Sequence, residues 1–349
     1  MSDRTITTIA GLIDAKLVPS VRANAINEVV AKYAVAVTSE IADRIDASNS
    51  HDPLARQFIP SPEELNTRAE ETADPISDDP FSPVPGIVHR YRNRALLKVV
   101  NICPVYCRFC FRREMVGPNH GSGLSDDQID QALAYVRAHP EIKELIVTGG
   151  DPLILSPRRL RDLTIKIGAI GTIEKIRWHT RVPIVMPDKI NDELIAALSS
   201  PSHQVRIAIH ANHPNEFGAA AQQTCVRLQT AGFELLSQSV LLRDINDDVP
   251  TLANLMQKYA EVGARPYYLH HGDLAPGTSH FRTTIAVGLA LMQELNKAVS
   301  ASLMPQYILD VPGGSGKVAL TKQTCAQQTD GSYLIQCRDG SVLTYRDVV

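Results

Sequence analysis

Hydrophobic positions recur along the chain at two different spacings. Between residues 21 and 45 they return every three or four positions, which is typical of amphipathic helices, and we expect residues 1–59 to be helical. From about residue 95 onward, short apolar and β-branched runs alternate with longer helical stretches. Such alternation predicts parallel strands joined by crossover helices.

Seven of these runs are predicted to be strands, at residues 95–102, 144–149, 174–180, 204–210, 234–242, 265–271 and 306–310. The helices between them are predicted at about 126–138, 157–168, 191–199, 215–231, 250–262 and 284–302. This pattern favours an α/β fold built as a full or partial (β/α) barrel, with a doubly wound sheet as the alternative. In a barrel, functional side chains lie in the loops after the carboxyl ends of the strands.

The segment between the helical region and the first strand has a different composition. Between residues 60 and 86 there are six prolines and seven acidic side chains against one arginine. That composition predicts an irregular, partly exposed connection. We therefore divide the chain into an N-terminal helical region (1–59), a Pro-rich acidic connection (60–88), a barrel (89–318) and a C-terminal tail (319–349).

Composition and charge exclude several classes of protein. The 349 residues carry 35 basic and 38 acidic side chains, and a formal charge of −3 argues against a nucleic-acid coat or a polybasic membrane anchor. There is no run of about 18 apolar residues, and the N-terminus lacks the apolar core of a secretory signal. We therefore expect a cytoplasmic protein that binds neither membrane nor nucleic acid. Six cysteines are too few for a disulfide scaffold in a chain of this length.

Three of the cysteines lie close together, directly after the first predicted barrel strand, at Cys103, Cys107 and Cys110. Cysteine is the usual ligand of iron–sulfur clusters. Three thiolates on one loop can hold a cube of four irons and leave one iron open for chemistry. A structural zinc site is the alternative, but it needs four ligands, and His120 is the nearest candidate for the fourth.

The spacing CxxxCxxC after a first barrel strand resembles that of the radical S-adenosylmethionine (SAM) enzymes. Longer stretches resemble one branch of that superfamily, lysine 2,3-aminomutase and its relatives. These stretches are HRYRNRALLKVVNICPVYCRFCFRR (89–113), VTGGDPLIL (147–155), TRVPIVMPDKI (180–190), HANHPNE (210–216), SQSVLLRDIND (237–247), GDLAPGTSHFR (272–282) and DVPGGSGK (310–317). The resemblance implies a partial barrel of the radical SAM type, with a 4Fe–4S cluster on the three cysteines, SAM, and pyridoxal 5′-phosphate (PLP).

The resemblance also implies which residues bind SAM. Gly149, Gly150 and Asp151 belong to the VTGGDP motif after the second strand and would lie beside the methionyl amino group. His210 and Gln238, at the ends of the fourth and fifth strands, would line the same site. Without the cysteines, each of these residues would be interpreted as an ordinary loop residue.

By the same resemblance, Lys317 would form a Schiff base with PLP, as lysine amines do with carbonyl compounds. This lysine closes the motif DVPGGSGK, which departs from a phosphate-binding P-loop at Pro312 and Val318. The residues that the resemblance implies for holding PLP are Arg90, Tyr91 and Arg94.

Substrate recognition is implied by one arginine and two acids. Residues 89–113 contain seven Arg and Lys side chains and no acid, and because the whole chain is slightly acidic, small anions are favoured over nucleic acid as their target. The resemblance assigns the substrate carboxylate to Arg112, and the ε-ammonium of a lysine to Asp273 and Asp310. Two carboxylates on one ammonium give strong charge-assisted bonds and disfavour a glutamate substrate.

These features imply an isomerase, L-lysine 2,3-aminomutase, that forms β-lysine through a 5′-deoxyadenosyl radical. The expected partners are lysine, a one-electron reductase such as flavodoxin or ferredoxin, and further copies of the chain in a homo-oligomer. The alternatives are an aminomutase for elongation factor P modification, acting on free or protein-bound lysine, or one for another amino acid. An iron–sulfur electron carrier, which would need neither Lys317 nor paired acids, and a non-catalytic partner of the translation machinery are the non-enzyme alternatives.

The tail departs from the better-known lysine aminomutases, which carry extra C-terminal cysteines for a structural zinc. Here Cys325 and Cys337 are twelve residues apart, and Cys225 lies elsewhere. Because no close cysteine pair is present in the tail, we predict no zinc site and assign no role to these three residues.

Overall fold

The computed structural model describes residues 5–349, and its largest element is a nine-stranded sheet. The strands follow one another in chain order as β1 (Ile87–Tyr91), β2 (Arg94–Val100), β3 (Glu144–Gly149), β4 (Lys175–Thr180), β5 (Gln204–His210), β6 (Glu234–Val240), β7 (Ala264–His270), β8 (Gln306–Val311) and β9 (Gly316–Ala319). Neighbouring strands from β2 to β8 are parallel. The edge strands β1 and β9 are antiparallel to their neighbours.

The seven predicted strands are β2 to β8, and their order confirms the predicted partial (β/α) barrel. The doubly wound alternative is wrong, because such a sheet reverses its strand order at a switch point and this sheet does not. At the open side, the hydroxyl of Tyr91 on β1 accepts a hydrogen bond of 2.7 Å from the backbone N–H of Lys317 on β9. The two edges therefore meet at this point, and the barrel is nearly closed.

Four short helices precede the barrel and support the cysteine loop. They are α1 (Ile9–Asp14), α2 (Ala23–Lys32), α3 (Ser39–Ala42) and α4 (Pro53–Phe58); residues 1–4 of the predicted helical region lie outside the described residues. The backbone N–H of Tyr106 donates to the carbonyl of Ala36, and that of Arg108 donates to the carbonyl of Gln57. The N-terminal region is thus hydrogen-bonded to the loop that carries the three cysteines.

Crossover helices follow the parallel strands in chain order: α5 (Asp126–Ala138), α6 (Pro157–Gly168), α7 (Val182–Val185), α8 (Asp192–Leu198), α9 (Ala219–Thr230), α10 (Val249–Glu261) and α11 (Ile285–Ala298). Helix α5 begins with a reciprocal cap, in which the Ser125 hydroxyl and the Gln128 side chain each accept the other residue's backbone N–H. Its buried face carries Ile129, Leu133 and Val136 at helical spacing. Among residues 5–349, no helix combines the length and apolar character that a membrane span requires.

The C-terminal tail forms a small sheet that the sequence analysis did not predict. Its antiparallel strands are β10 (Cys325–Gln327), β11 (Tyr333–Gln336) and β12 (Val342–Tyr345). Tyr333, Ile335 and Tyr345 are buried in one core with Leu309 and Val318 of the barrel edge. The tail therefore packs beside β8 and β9, next to the segment that carries Lys317.

The acidic connection (residues 60–86, called the acidic strap below) is less exposed than its composition predicts. Glu64 is 0% exposed and accepts hydrogen bonds from Arg108 at 2.5–3.1 Å and from Arg113. Both arginines belong to the cysteine loop. Burial raises the pKa of the Glu64 carboxyl, but the two guanidinium groups outweigh it and hold the pKa below its usual value. A buried carboxylate therefore clamps the strap to the cysteine loop.

Two further acids of the strap repeat this arrangement. Asp78 forms ion pairs with Arg90 at 3.1 Å and with Arg112 at 2.8 Å. Glu71 forms an ion pair of 2.5 Å with Arg282, and both side chains are buried. Buried charges are tolerated when they are paired and hydrogen-bonded, and the strap supplies the carboxylates that the basic run lacks.

Glu64→Gln is expected to lower the free energy of unfolding by about 3–5 kcal/mol, because removing one partner leaves buried charges uncompensated. Urea unfolding of the protein without added cofactors measures this effect, and Glu63→Gln, at the exposed neighbouring position, is the matched control. A difference between the two variants of less than about 1 kcal/mol, which is typical of surface ion pairs, would contradict a clamping role.

Candidate active site

The three cysteines of the loop after β2 line one cavity inside the barrel mouth. Cys103, Cys107 and Cys110 are free thiols. Burial raises the pKa of all three, and that of Cys110 reaches about 11. Because a metal ligand must be a thiolate, these half-buried thiols would need a compensating cation, which the irons of a cluster would supply. Within residues 5–349 no three His, Cys, Asp or Glu side chains are grouped to hold a single metal ion, whereas a cube would bind each thiolate to a different iron.

The two glycines after β3 are required by close packing. A Cβ on Gly149 would lie 2.3 Å from the carbonyl oxygen of Val100, and one on Gly150 would lie 2.4 Å from that of Ile102. Gly149 also has a φ of 124°, which side chains rarely adopt. The backbone at the end of β3 thus packs directly against the backbone at the start of the cysteine loop. Both glycines line the cysteine cavity.

Asp151, the third predicted SAM residue of this motif, has structural partners on both oxygens. Its carboxylate accepts hydrogen bonds of 2.7 Å from the Thr180 hydroxyl, 2.7 Å from the Arg181 N–H and 3.1 Å from the Leu153 N–H. It therefore ties the end of β3 to the end of β4. It also lines the cysteine cavity, so a role towards SAM stays a prediction.

His210 and Gln238 lie side by side, because they are paired in the register of β5 and β6. Both line the cysteine cavity. Burial lowers the pKa of His210 well below its usual value, so the imidazole is neutral. Its ring lies edge-on to Phe109 between the cysteines, with centroids 6.0 Å apart. The two predicted SAM residues thus reach the cysteine cavity from two neighbouring strands.

A second cavity adjoins the first and contains Lys317. The Lys317 Nζ lies 2.5 and 2.6 Å from the two carboxylate oxygens of Asp310, its partner in the β8–β9 register. His270 Nδ1 lies 3.0 Å from the same carboxylate. Burial acts to raise the pKa of Asp310, but Lys317 and His270 hold it well below its usual range. Asp310 is therefore a carboxylate that is neutralised by Lys317 in this structure.

The predicted PLP residues lie around this second cavity, although their charges already have partners. Arg90 donates to the carbonyls of Ile76 and Ser77 and to Asp78. Arg94 lies 3.7 Å from Glu144. Tyr91 accepts its hydrogen bond from Lys317 at the barrel edge, as described above. Arg112, the predicted carboxylate site, lines both cavities and is paired with Asp78.

Among the residues of the second cavity that sequence reasoning missed are Asp78, Arg177, His270 and Arg338. Asp78 forms ion pairs with two arginines of the site, and His270 forms a hydrogen bond with Asp310. Arg338 reaches the cavity from the turn between β11 and β12, and among the cations that line it, Arg338 has no carboxylate partner within residues 5–349. Only Asp78 had a signal in the sequence. The strap carries as many acids as residues 89–113 carry Arg and Lys side chains, which suggests that the two segments pair.

The two cavities share a wall, formed by Phe111, Arg112, Thr148, His179, Gln238 and His270. Several buried polar atoms around them have no hydrogen-bond partner among the described residues. These are Nε of Arg90 and Arg112, Nε2 of His179, His210 and His270, and Oδ1 of Asp273. Because native proteins pair nearly all buried polar groups, such a concentration fits bound cofactors and substrate. The residues present therefore fit a cluster with SAM on one side and PLP on the other.

Asp273 lines the cysteine cavity beyond the shared wall. Burial and the nearby Asp310 raise its pKa to about 8, against the opposing effect of Lys317 and Arg112. It is thus a half-buried acid with no ion-pair partner within residues 5–349. By contrast, Cys225 is buried in α9, and Cys325 and Cys337 are buried with the small C-terminal sheet.

Comparison with known proteins identifies the family of the chain. Residues 97–256 match the family model described as the Radical SAM superfamily. The chain is 35% identical over 315 residues to a protein named L-lysine 2,3-aminomutase from Clostridium subterminale, covering 90% of this chain and 75% of that protein. A protein of the same name from Escherichia coli K12 is 38% identical over 291 residues, covering 83% and 84%.

Among solved structures, a radical SAM methyltransferase from Sphaerobacter thermophilus aligns with a TM-score of 0.44 and 17% identity, over 64% of this chain and 68% of that one. The sequence relatives carry the assignment, because their identity extends over most of both chains. The chain belongs to the lysine 2,3-aminomutase family of radical SAM enzymes.

Proposed function

We propose that the protein is an L-lysine 2,3-aminomutase, which moves the α-amino group of L-lysine to Cβ and releases β-lysine. The observation that carries the proposal is the junction of the two cavities. One holds the three cysteine thiols, the other holds Lys317, and Gln238 and Arg112 line both. A substrate amine held from the Lys317 side would lie beside the SAM side, which is the proximity that hydrogen transfer requires.

Bound cofactors would supply the difficult chemistry: the cluster with SAM supplies a radical, and PLP supplies a carbonyl group that binds amines. The chain would supply position and charge. Cys103, Cys107 and Cys110 would hold the cluster, and Lys317 would give its amine to PLP. The phosphate would lie among the cations of the second cavity, with Arg90, Tyr91 and Arg94 as predicted and Arg338 as an added cation that has no carboxylate to compete with it.

Charge recognition supports lysine as the substrate. The buried Asp310 needs a cation, and Lys317 supplies it in this structure. Asp273 is a second acid, close enough for Asp310 to raise its pKa, and its buried Oδ1 has no partner within residues 5–349. We propose that the ε-ammonium of lysine binds these two acids, while Arg112 binds the α-carboxylate.

Anaerobic incubation of the reconstituted enzyme with lysine or with glutamate tests the proposal. β-Lysine should form, and the corresponding β-glutamate should not, since a side-chain carboxylate would be placed against two acids. Equal turnover of both amino acids would overturn the lysine assignment.

Above the raised pKa of Asp273, where both acids are ionised, Asp310→Asn and Asp273→Asn are each expected to weaken lysine binding by about ten- to a hundredfold. This range follows from the roughly 1.5–3 kcal/mol that a hydrogen bond to a charged group contributes. The double variant should lose less than the sum, because both acids serve one ammonium. Lysine KM and the cofactor content of each variant are the measurements, and unchanged lysine kinetics in Asp310→Asn would contradict the assignment.

Lysine affinity is expected to rise with pH, by up to about tenfold per unit, until the Asp273 carboxyl has ionised. Its raised pKa of about 8 means that the acid is mostly protonated near neutral pH, and only the carboxylate binds an ammonium. The groups that face it are Asp310 and Asp78, which raise its pKa, and Lys317 and Arg112, which lower it. Lysine dissociation constants measured across this range, with Asp273→Asn as a pH-independent control, test the expectation. A flat wild-type profile would contradict it.

The proposal extends to the electron donor, the oligomeric state and the use of the product. Radical chemistry on a cluster needs a one-electron donor, and we propose flavodoxin, ferredoxin or a related reductase in the cytoplasm. We also propose that the chain forms a homo-oligomer and that its β-lysine is available for elongation factor P modification.

A further inference from the structure

One arginine contacts the predicted cluster site directly. Arg181 is the first residue after β4, and its Nη1 lies 2.9 Å from the Sγ of Cys107. Its guanidinium lies between two aromatic rings, 4.8 Å from the centroid of Phe58 and 5.5 Å from that of Phe109. The side chain is only 5% exposed, so this charge acts in a medium of low dielectric.

The other terminal nitrogen of Arg181 is held by a buried network. Its Nη2 donates to Oε2 of Glu216 at 2.5 Å and to Oε1 of Gln57 at 3.0 Å. The Gln57 amide donates in turn to Oε1 of Glu216 at 3.1 Å, and Asn212 donates to Gln57 and to Glu216. Glu216 is fully buried. The network therefore holds Nη2 of Arg181 in place, and Nη1 remains free to donate to Cys107.

A lysine could not make this contact in the same way. The planar guanidinium offers several N–H donors in fixed directions, so it can bind a carboxylate on one side and a sulfur on the other. An ammonium at the same position would keep the positive charge but would lose the fixed geometry. The pairing of Arg181 with both Glu216 and Cys107 thus needs arginine.

We propose that Arg181 is a positioning residue that sets the reduction potential of the cluster through its hydrogen bond to Cys107, and that Glu216 limits its effect. The inference rests on the proposed role of the three cysteines. Potentials of such clusters depend on net charge, hydrogen bonds to sulfur and burial. Reduction adds one negative charge to the cluster, so the cation of Arg181 favours the reduced form and the anion of Glu216 opposes it.

The test is a potentiometric titration of the reconstituted protein, in which electron paramagnetic resonance follows the reduced cluster. Arg181→Met is expected to lower the ratio of reduced to oxidised cluster about tenfold at a fixed ambient potential. This change corresponds to a reduction potential that is lower by about 59 mV, for transfer of one electron. Glu216→Gln is expected to shift the ratio in the opposite direction. Arg181→Lys keeps the charge but loses the fixed hydrogen bond to Cys107, so it is expected to recover only part of the loss.

Arg206→Met is the matched control, because it removes an arginine from its carboxylate partner, Glu234, in the first half of β5, and Arg206 lines neither cavity. Its potential should equal that of the wild type. Shifts of Arg181→Met and Glu216→Gln in the same direction, or no shift in either, would overturn the inference. If Arg181→Met does not retain a cluster, the inference is tested by the other two variants. Glu216→Gln should raise the reduction potential, and Arg181→Lys should lower it; no shift in either would overturn the inference.

The proposed function and this inference fail in different ways. A wild-type protein that binds no cluster would overturn both. A cluster that supports β-lysine formation, but whose reduction potential is unchanged by substitution of Arg181 or Glu216, would overturn the inference alone.

Discussion

Lys317→Ala is expected to abolish covalent PLP and aminomutase turnover while leaving iron and sulfide at wild-type levels. The expected loss is complete, because alanine has no amine to bond to the PLP carbonyl. Cluster content should be unaffected, because the thiols lie on the loop after β2, whereas Lys317 lies on β9 and lines the adjoining cavity rather than the cysteine cavity. Absorbance near 420 nm that disappears with borohydride reports the bond, and iron and sulfide are measured on the same sample.

Lys322→Ala is the matched control for this substitution, since Lys322 is exposed five residues further along the chain. It should keep both cofactors and full turnover. An unchanged absorbance in Lys317→Ala would show that another lysine binds PLP. Loss of iron together with PLP would show that the variant disturbs the whole barrel.

Cys103→Ala, Cys107→Ala and Cys110→Ala are each expected to lose the cluster and all turnover. Three thiolates from one loop are the full protein ligand set that the sequence offers for the cube, so no neighbouring thiol can replace a missing one. Iron and sulfide content after anaerobic reconstitution measure the effect.

Cys225→Ala is the control for the cysteine variants, because Cys225 is also a free thiol but is buried in α9, away from the cysteine loop. It should retain the cluster and the activity. Wild-type iron content in all three loop variants would refute the assignment of Cys103, Cys107 and Cys110.

The barrel was predictable because its strands carry a local signal. Apolar β-branched runs bounded by helical stretches identify β2 to β8, and the carboxyl ends of those strands then predict where chemistry lies. The edge strands were not predictable in this way. Strand β9 lies in a glycine-rich motif, and its pairing with β8 brings Lys317 opposite Asp310, a contact that no spacing rule contains.

The acidic strap shows why composition was a poor guide to burial. Proline and acidic residues predict an exposed connection, yet Glu64 and Asp78 are buried because arginines of the cysteine loop neutralise them. The interaction joins segments that are distant in sequence, and local patterns carry no information about such pairs. Only the matching opposite charges of the two segments could have suggested it.

The same limitation applies to the site. The three cysteines were predictable from spacing within one loop, whereas Arg181 was part of a recognised motif without a role until the fold placed it against Cys107. Asp310 was predicted as a substrate group, and the structure adds that Lys317 and His270 are its partners when no substrate is present. Long-range contacts, rather than residue types, decide these roles.

The central claim is that the protein is an isomerase that rearranges lysine. Because isomerisation consumes no hydrogen overall, the SAM that supplies the radical should be regenerated in each turnover. The most direct test of this claim is anaerobic incubation of the reduced, reconstituted enzyme with L-lysine and a limiting amount of SAM, followed by chromatography of the amino acids. The account predicts β-lysine in large molar excess over the SAM supplied, with no product when SAM or PLP is omitted. Absence of β-lysine from an enzyme that holds all three cofactors, or one SAM consumed for each product, would contradict it.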